Sequence, residues 1–170
     1  RLIGDAYSAE DWELETMRDL AVSDPHIEVR QQLSSTAKRL QVPGGLAIIR
    51  ELLKRDEDAD DDYMPLLLWW TLEEFCSNDA DQVVDLFKDK RLFDAVLVQT
   101  TMLEFVMRRL AVEGTREYLR ASARLLRSAP DSQSKKALLN GFENAYRGRS
   151  MVGLPEELLN AIAGAGGGSL

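Results

Sequence analysis

Acidic side chains between residues 56 and 62 form the densest group of potential ligands in the sequence: Asp56, Glu57, Asp58, Asp60, Asp61 and Asp62. Clustered carboxylate oxygens are what Ca²⁺ prefers, so Asp56, Asp58 and Asp60 are candidate calcium ligands. The run does not fit an EF-hand loop, because Leu67 stands where the bidentate glutamate is required. The alternative is a solvated loop whose negative charge stabilises the N-terminus of a helix at Pro65.

Arginines recur at spacings of four, four and three in the second half of the chain, at Arg116, Arg120, Arg124 and Arg127. On a helix this spacing places all four on one face. We call them the arginine stripe, and they are candidate residues for binding an acidic partner or phosphate. The alternative is an exposed face whose arginines pair with Glu113, Glu117 and the acidic N-terminal half.

Two adjacent tryptophans, Trp69 and Trp70, are candidate docking residues. Neighbouring helical residues point about 100° apart, so at most one of them faces the centre of a core. Trp70 is the candidate for partner binding. The simpler alternative is that both rings pack in the core.

Neither His26 nor Cys76 has a partner in the sequence that would make it reactive. His26 follows an Asp-Pro pair, which predicts a turn or capping residue, and Cys76 is expected to be a partly buried, inert thiol. Phosphate-binding loops, dinucleotide fingerprints and nucleophile elbows are absent from the sequence. We therefore predict no catalytic residue and no cofactor for this chain.

Composition predicts a folded chain with an uneven charge. The 170 residues are 45% hydrophobic and 29% charged, with a net charge of −8. Residues 1–85 carry 8 basic and 20 acidic side chains, and residues 86–170 carry 13 and 9. The longest apolar run, residues 64–70, is far shorter than the roughly 20 residues of a membrane span. One cysteine also excludes a disulfide scaffold and a multi-cysteine zinc site.

The elements that position these side chains are predicted to be helices, because apolar residues recur three and four apart along nearly the whole chain. Three expectations can be checked residue by residue. Trp12, Thr16 and Leu20 form the inner face of the first helix. Residues 64–72 are apolar on nearly all sides, which predicts a helix buried between neighbours. Residues 95–98 have β-like composition but lie inside a longer helical pattern, so no sheet is predicted.

Helix boundaries follow from capping residues. Ser8, Ser77 and Thr115 precede apolar periodic runs and are predicted N-caps. Gly114 fits a left-handed position at the end of a helix.

The helices are expected to pair into hairpins about 33 to 40 residues apart, which is the period of helical repeats. The predicted fold is all-α, a right-handed α-α superhelix of the HEAT or armadillo kind with about four hairpins. The predicted helical domain spans residues 1–163, and a flexible Gly-rich tail spans residues 164–170. The first residues look like the tail of a preceding helix, so the chain is expected to be a segment of a longer protein.

Residues 24–33, with the sequence DPHIEVRQQL, resemble the HEAT-repeat signature. In that signature an Asp-Pro turn precedes Glu-Val-Arg at the start of a second helix. Asp24 can then cap the helix, and Arg30 can reach the turn of a neighbouring repeat.

A closer resemblance rests on four segments: residues 32–40, 53–61, 65–70 and 109–115. Their order resembles the helical-repeat segment of large planctomycete and verrucomicrobial proteins that are described as haem-binding or membrane-bound dehydrogenase-like. In that family a β-propeller precedes the repeats, and a c-type cytochrome module with a Cys-x-x-Cys-His motif follows them. One cysteine and one histidine, 50 positions apart, cannot attach such a haem here.

The resemblance implies a non-catalytic scaffold and docking domain of an electron-transfer protein outside the cytoplasmic membrane. Its partners would be neighbouring domains of the same chain or another protein, and exposed repeat ends would allow a homodimer. The alternatives are a HEAT-like DNA-binding enzyme of the DNA-glycosylase kind and an adaptor that binds an acidic partner. The net charge of −8 argues against nucleic acid, because DNA affinity depends on neutralising phosphates.

Overall fold

The computed structural model describes residues 9–166, and within that range the chain forms α-helices and no β-strand. The helices are α1 (Asp11–Ser23), α2 (Ile27–Ala37), α3 (Val42–Leu53), α4 (Met64–Asn78), α5 (Ala80–Leu86), α6 (Leu103–Glu113), α7 (Arg116–Ser128), α8 (Ser132–Tyr146) and α9 (Glu156–Gly166). Short 3-10 turns lie at Asp56–Asp58 and Lys90–Asp94. The all-α prediction is confirmed, including residues 96–102, which are helical and pass through a π turn into α6. The predicted Gly-rich tail begins inside α9, and its residues 167–170 lie outside the described range.

Side-chain caps fix several helix ends. Thr115 accepts a hydrogen bond from the Tyr118 N–H, and Gly114 has a φ of 68°, as predicted for both. The predicted cap at Ser77 is wrong, because α4 runs through Ser77 and ends at Asn78. Asp79 takes that role instead, accepting a hydrogen bond from the Gln82 N–H at 3.0 Å. Ser8, the other predicted cap, lies outside the described residues.

The chain divides into two compact units. The first comprises α1 to α5 together with residues 95–97. Within it α1 packs on α3, α2 packs on α4, and α3 packs on α5, so each of these contacts skips one helix along the chain. Its core contains the fully buried Ile48, Ile49, Leu52, Leu68, Leu72 and Phe75. Gly45 brings α3 close to α4, since a Cβ there would lie 2.3 Å from the Phe75 ring.

The predicted inner face of α1 is wrong. Met17 and Ala21 are buried, whereas the Trp12 side chain is 66% exposed and Leu20 is 36% exposed. Both the row with Trp12 and Leu20 and the row with Met17 and Ala21 satisfy the i, i+4 spacing. The packing of α1 against α2 and α3 buries the second row, which has the smaller side chains.

Within the described range, the second unit comprises residues 87–94 and 98–166, and it holds α6 to α9. Here α6 packs along α8 and α7 packs on α9, again with one helix skipped. The close approach of α8 to α6 requires Gly141, since a Cβ there would lie 2.3 Å from the Glu104 carbonyl oxygen. Val106, Leu110, Leu125 and Leu138 fill the space between these helices and are fully buried.

The length and apolarity of the helices bear on membrane crossing. Within residues 9–166, none of them is both long and apolar enough to span a bilayer.

Candidate functional site

The acidic run makes a group of charged contacts with the helices around it. At its centre the Asp58 carboxylate binds the Arg30 guanidinium in a bidentate pair, with one hydrogen bond of 2.7 Å from Arg30 Nε to Oδ2 and a second from Nη2 to Oδ1. Both residues are buried, at 4% and 1% exposure. The hydrogen bond from Arg30 to Asp58 is the main reason that the pKa of Arg30 lies above its ordinary value. This pair joins α2 to the loop before α4.

Arg55 reinforces the same junction. Its guanidinium donates hydrogen bonds to the Val22 and Asp24 carbonyl oxygens, and Arg30 donates a further one to the Asp24 oxygen at 2.8 Å. Arg55 also lies 2.7 Å from the Glu57 carboxylate. Two arginines therefore fasten the turn between α1 and α2 to the acidic loop. Arg30 therefore reaches the loop between α3 and α4, and that this loop is the turn of a neighbouring repeat stays a prediction.

Asp61 orders the start of α4. Its carboxylate accepts hydrogen bonds from the Tyr63 and Met64 N–H groups at 3.0 and 2.7 Å, and from the Gln31 side chain at 3.0 Å. Burial alone would raise the pKa of Asp61, but these hydrogen bonds outweigh it and the pKa lies below the ordinary value. The sequence predicts that negative charge in this loop stabilises the N-terminus of the helix at Pro65. Asp61 is the residue that makes these contacts.

The three candidate calcium ligands are in three different environments. Asp58 binds Arg30, Asp56 accepts a hydrogen bond from the Val96 N–H at 2.8 Å, and Asp60 is exposed. Among residues 9–166, no three acidic, histidine or cysteine side chains are grouped in a way that could hold a metal ion.

The arginine stripe lies on the exposed side of α7, as its spacing predicts. Arg120 is 3.4 Å from the Glu157 carboxylate at the start of α9. The pKa of Glu157 lies below its ordinary value, first because of a hydrogen bond from its own backbone N–H and then because of Arg120 and Arg116. An open cavity of about 720 Å³ separates the first turns of α7 and α9, lined by Arg116 and also by Glu156 and Glu157. The stripe therefore faces carboxylates at its N-terminal end.

The tryptophan pair lies on α4, and neither residue is fully buried. Trp70 is 46% exposed, and Trp69 is partly buried. Two residues that the sequence analysis missed extend the surface of Trp70: Tyr63 is 66% exposed and Leu66 is 43% exposed. We call Tyr63, Leu66 and Trp70 the α4 apolar face.

The helix expected over residues 64–72 does pack against neighbouring helices, α2, α3 and α5, but its side with Leu66 and Trp70 is exposed, which the expectation did not include. The 3 and 4 spacing of residues 63, 66 and 70 was the available signal, but it is hidden in a segment where nearly every residue is apolar.

Cys76 and His26 lie in different environments. Cys76 is fully buried in α4, and His26 is exposed at the N-cap of α2. His26 is thus a helix-start residue, as predicted, and its backbone N–H donates to Asp24 at 2.8 Å.

The arrangement offers charged and apolar surfaces for binding. Compared with known proteins, the chain matches no protein-family model, no curated protein and no solved structure.

Proposed function

We propose that this chain is a non-catalytic helical-repeat scaffold whose surfaces dock other protein modules. The observation that carries the proposal is the packing that skips one helix: α1 on α3, α2 on α4 and α3 on α5, then α6 on α8 and α7 on α9. Stacked hairpins pack in this way, because each hairpin covers the apolar side of the next one. The finer proposal is a HEAT or armadillo-like superhelix of about four hairpins.

The junction at Arg30 supports the same proposal. In stacked repeats a charged residue early in the second helix can hold the turn of the following repeat, and Arg30 in α2 binds Asp58 in the loop between α3 and α4. The two residues are 28 positions apart in sequence, which is shorter than the predicted period of about 33 to 40 residues, as expected for a contact that runs from one hairpin to the turn of the next.

We further propose that the scaffold belongs to a larger c-type-haem, dehydrogenase-like protein that works outside the cytoplasmic membrane. The support is the resemblance of four segments, in their order along the chain, to that family. The haem and the dehydrogenase site would then lie in other modules, and this segment would hold them at a fixed distance. DNA sequence on both sides of the segment tests this: an initiator and a stop codon adjoining residues 1 and 170, with no Cys-x-x-Cys-His motif, would overturn it.

Deletion of residues 147–170 tests the scaffold architecture itself, because it removes α9 from its contacts with α7 and α8. In a stack each repeat depends mainly on its neighbours, so hydrogen exchange in α1 to α4 should keep its protection. The intact chain is the control. Loss of protection in α1 to α4 together with α7 would show a single cooperative globule instead.

The arginine stripe supports a second candidate, binding of an acidic partner or of DNA by the second unit. All four arginines are exposed, but Arg120 already forms an ion pair with Glu157, and both Arg120 and Arg116 lower the pKa of Glu157. Retention of a DNA duplex at about 50 mM salt, falling steeply as salt rises, would favour the DNA-binding enzyme over the scaffold. We expect no retention.

A further inference from the structure

We propose that the α4 apolar face docks a basic amphipathic helix of a partner module. The inference rests on the proposed scaffold function and specifies the chemistry of one partner. Leu66 and Trp70 are four residues apart on α4, so they lie on one side of it. Tyr63 directly precedes α4 with right-handed helical backbone angles, three residues before Leu66, and extends the same row. The next positions in this row, Glu74 and Ser77, are also exposed. The row from Tyr63 to Glu74 is about 16 Å long, which matches about three turns of a partner helix.

This exposure does not come from a loosely held helix. The opposite side of α4 is fully buried through Met64, Leu68, Leu72 and Phe75. Asp61 holds its N-terminal N–H groups, and the Asp79 N–H donates to the Phe75 oxygen at its C-terminal end at 2.8 Å. A large aromatic surface on a rigid support is what anchors of protein interfaces require, because little conformational entropy is lost on binding.

The charges around the face select the partner. No lysine or arginine occurs between Arg55 and Lys88, which bracket the whole of α4. Arg30 and Arg55 occupy Asp58 and Glu57, which leaves exposed carboxylates at both ends of the face. They are Asp60 and Asp62 before Tyr63, and Glu74 one turn after Trp70.

An apolar row between carboxylates is complementary to an apolar row between lysines or arginines. A helix with apolar residues at i, i+3, i+4 and i+7 presents such a row, and its basic flanks would meet Asp60, Asp62 and Glu74. Nucleic acid and anionic lipid surfaces carry negative charge, so the same carboxylates repel them.

A second copy of this chain fits less well than a basic helix. Two α4 faces brought together would place the carboxylates at the ends of one face against the carboxylates of the other. The arginine stripe could supply positive charge, but the exposed residues of α7 are all charged and offer no apolar side chain to cover Trp70.

The test is binding of a fluorescein-labelled peptide of about 18 residues, measured by fluorescence anisotropy at about 50 mM salt. Its leucines occupy one helical face, and lysines and arginines flank them. A peptide of the same composition in scrambled order and one with glutamates in place of the basic residues are the controls. We expect the first peptide to bind at least about tenfold more tightly than either control. Equal binding of all three peptides, or none, overturns the inference.

Two tryptophan variants then locate the binding. Trp70→Ala should weaken the peptide at least about tenfold, as for an interface anchor. Trp12→Ala is the matched control, because Trp12 is 66% exposed but lies on α1. Equal losses in the two variants would place the peptide elsewhere and overturn the inference.

The carboxylates are tested separately from the rings. The triple variant Asp60→Asn, Asp62→Asn, Glu74→Gln should weaken binding about fivefold or more at low salt and little at high salt. The control neutralises two exposed carboxylates of α1, Glu15→Gln and Asp19→Asn. A control loss as large as that of the triple variant would mean nonspecific attraction to an acidic protein, which also overturns the inference.

Two other occupants would give their own signals. Sedimentation of a dimer that Trp70→Ala dissolves would identify a second copy on the face, and Trp70-dependent binding to vesicles containing anionic lipid would identify a membrane. Either result overturns the basic-helix inference. The scaffold proposal is tested separately by hydrogen exchange after deletion of residues 147–170, so its failure is distinguishable from failure of the docking inference.

Discussion

Replacing Asp58 with asparagine should destabilise the first unit strongly, because Arg30 would then lie buried without a counter-charge. Arg30 is 4% exposed, and both of its hydrogen bonds to Asp58 would lose the charge of their acceptor. Breaking a buried ion pair from one side costs about 3–5 kcal/mol, and hydrogen bonds to charged groups are worth roughly 1.5–3 kcal/mol each. The hydrogen bond from Arg30 to the Asp24 carbonyl remains, so we expect the lower end, about 3 kcal/mol.

Urea unfolding followed by circular dichroism measures this loss, and a thermal melt should show a decrease in Tm of roughly 6–12 °C. Asp60→Asn is the matched control, because Asp60 lies two residues further along the same loop and is exposed. It should change the free energy of unfolding by less than about 0.5 kcal/mol. The two variants differ only in whether the lost carboxylate is buried against an arginine.

The double variant Arg30→Met, Asp58→Leu separates the worth of the pair from the penalty of breaking it. Apolar side chains that fill the same space often restore the stability lost in either single variant. We expect the double variant to be more stable than Asp58→Asn alone. A loss below about 1 kcal/mol for Asp58→Asn, equal to that of Asp60→Asn, would refute the idea that this pair fastens α2 to the acidic loop.

Three further outcomes follow from single residues. Gly141→Ala should cost about 2 kcal/mol or more in chemical denaturation, since its Cβ would lie 2.3 Å from the Glu104 carbonyl oxygen; a loss below about 0.5 kcal/mol would contradict that close approach. Asp131→Ala should cost about 1 kcal/mol, because Asp131 accepts hydrogen bonds from the Ser134 N–H and hydroxyl. The hydrogen bond from the Ser134 N–H is the first cause of the lowered pKa of Asp131. The stability that Asp131 contributes is therefore present above pH 3.8, its ordinary pKa, and is lost as the pH falls through the lower pKa of the folded state. A stability difference between wild type and variant that stays the same in acid would contradict this. Cys76 should react with a thiol reagent in native protein far more slowly than in urea, as absorbance of the released chromophore would report, and equal rates would contradict its burial.

Helix positions were predictable because they depend on local rules. Thr115 with Gly114 marks one helix boundary, and both have the predicted geometry. Ser77 failed as a cap because serine is also tolerated inside a helix, where its hydroxyl donates to the Glu73 carbonyl oxygen at 3.1 Å. Local sequence offers both options, and the buried Phe75 and Cys76 extend α4 past the serine.

The facing of helices was less predictable, because it depends on neighbours distant in sequence. On α1, the row containing Trp12 and the row containing Met17 both have helical spacing, and packing on α2 and α3 decides between them. On α4 the exposed side could not be predicted for a different reason. Nearly every residue of the segment is apolar, so composition does not distinguish the exposed Leu66 and Trp70 from the buried residues. Periodicity identifies a face only where polar residues mark the other side.

The role of each carboxylate in the acidic run depends both on local sequence and on packing against distant helices. A count of carboxylates suggests a cation site or a solvated loop, but the structure divides the run by burial. Asp58 and Asp61 have partners on α2 or at the start of α4, and they fix the helix in place. Asp60 and Asp62 remain at the surface beside Tyr63. The loop that anchors α4 therefore also gives the N-terminal end of its apolar face a negative charge, so a helix that covered both Tyr63 and Trp70, as we propose, would gain from positive charge at that end.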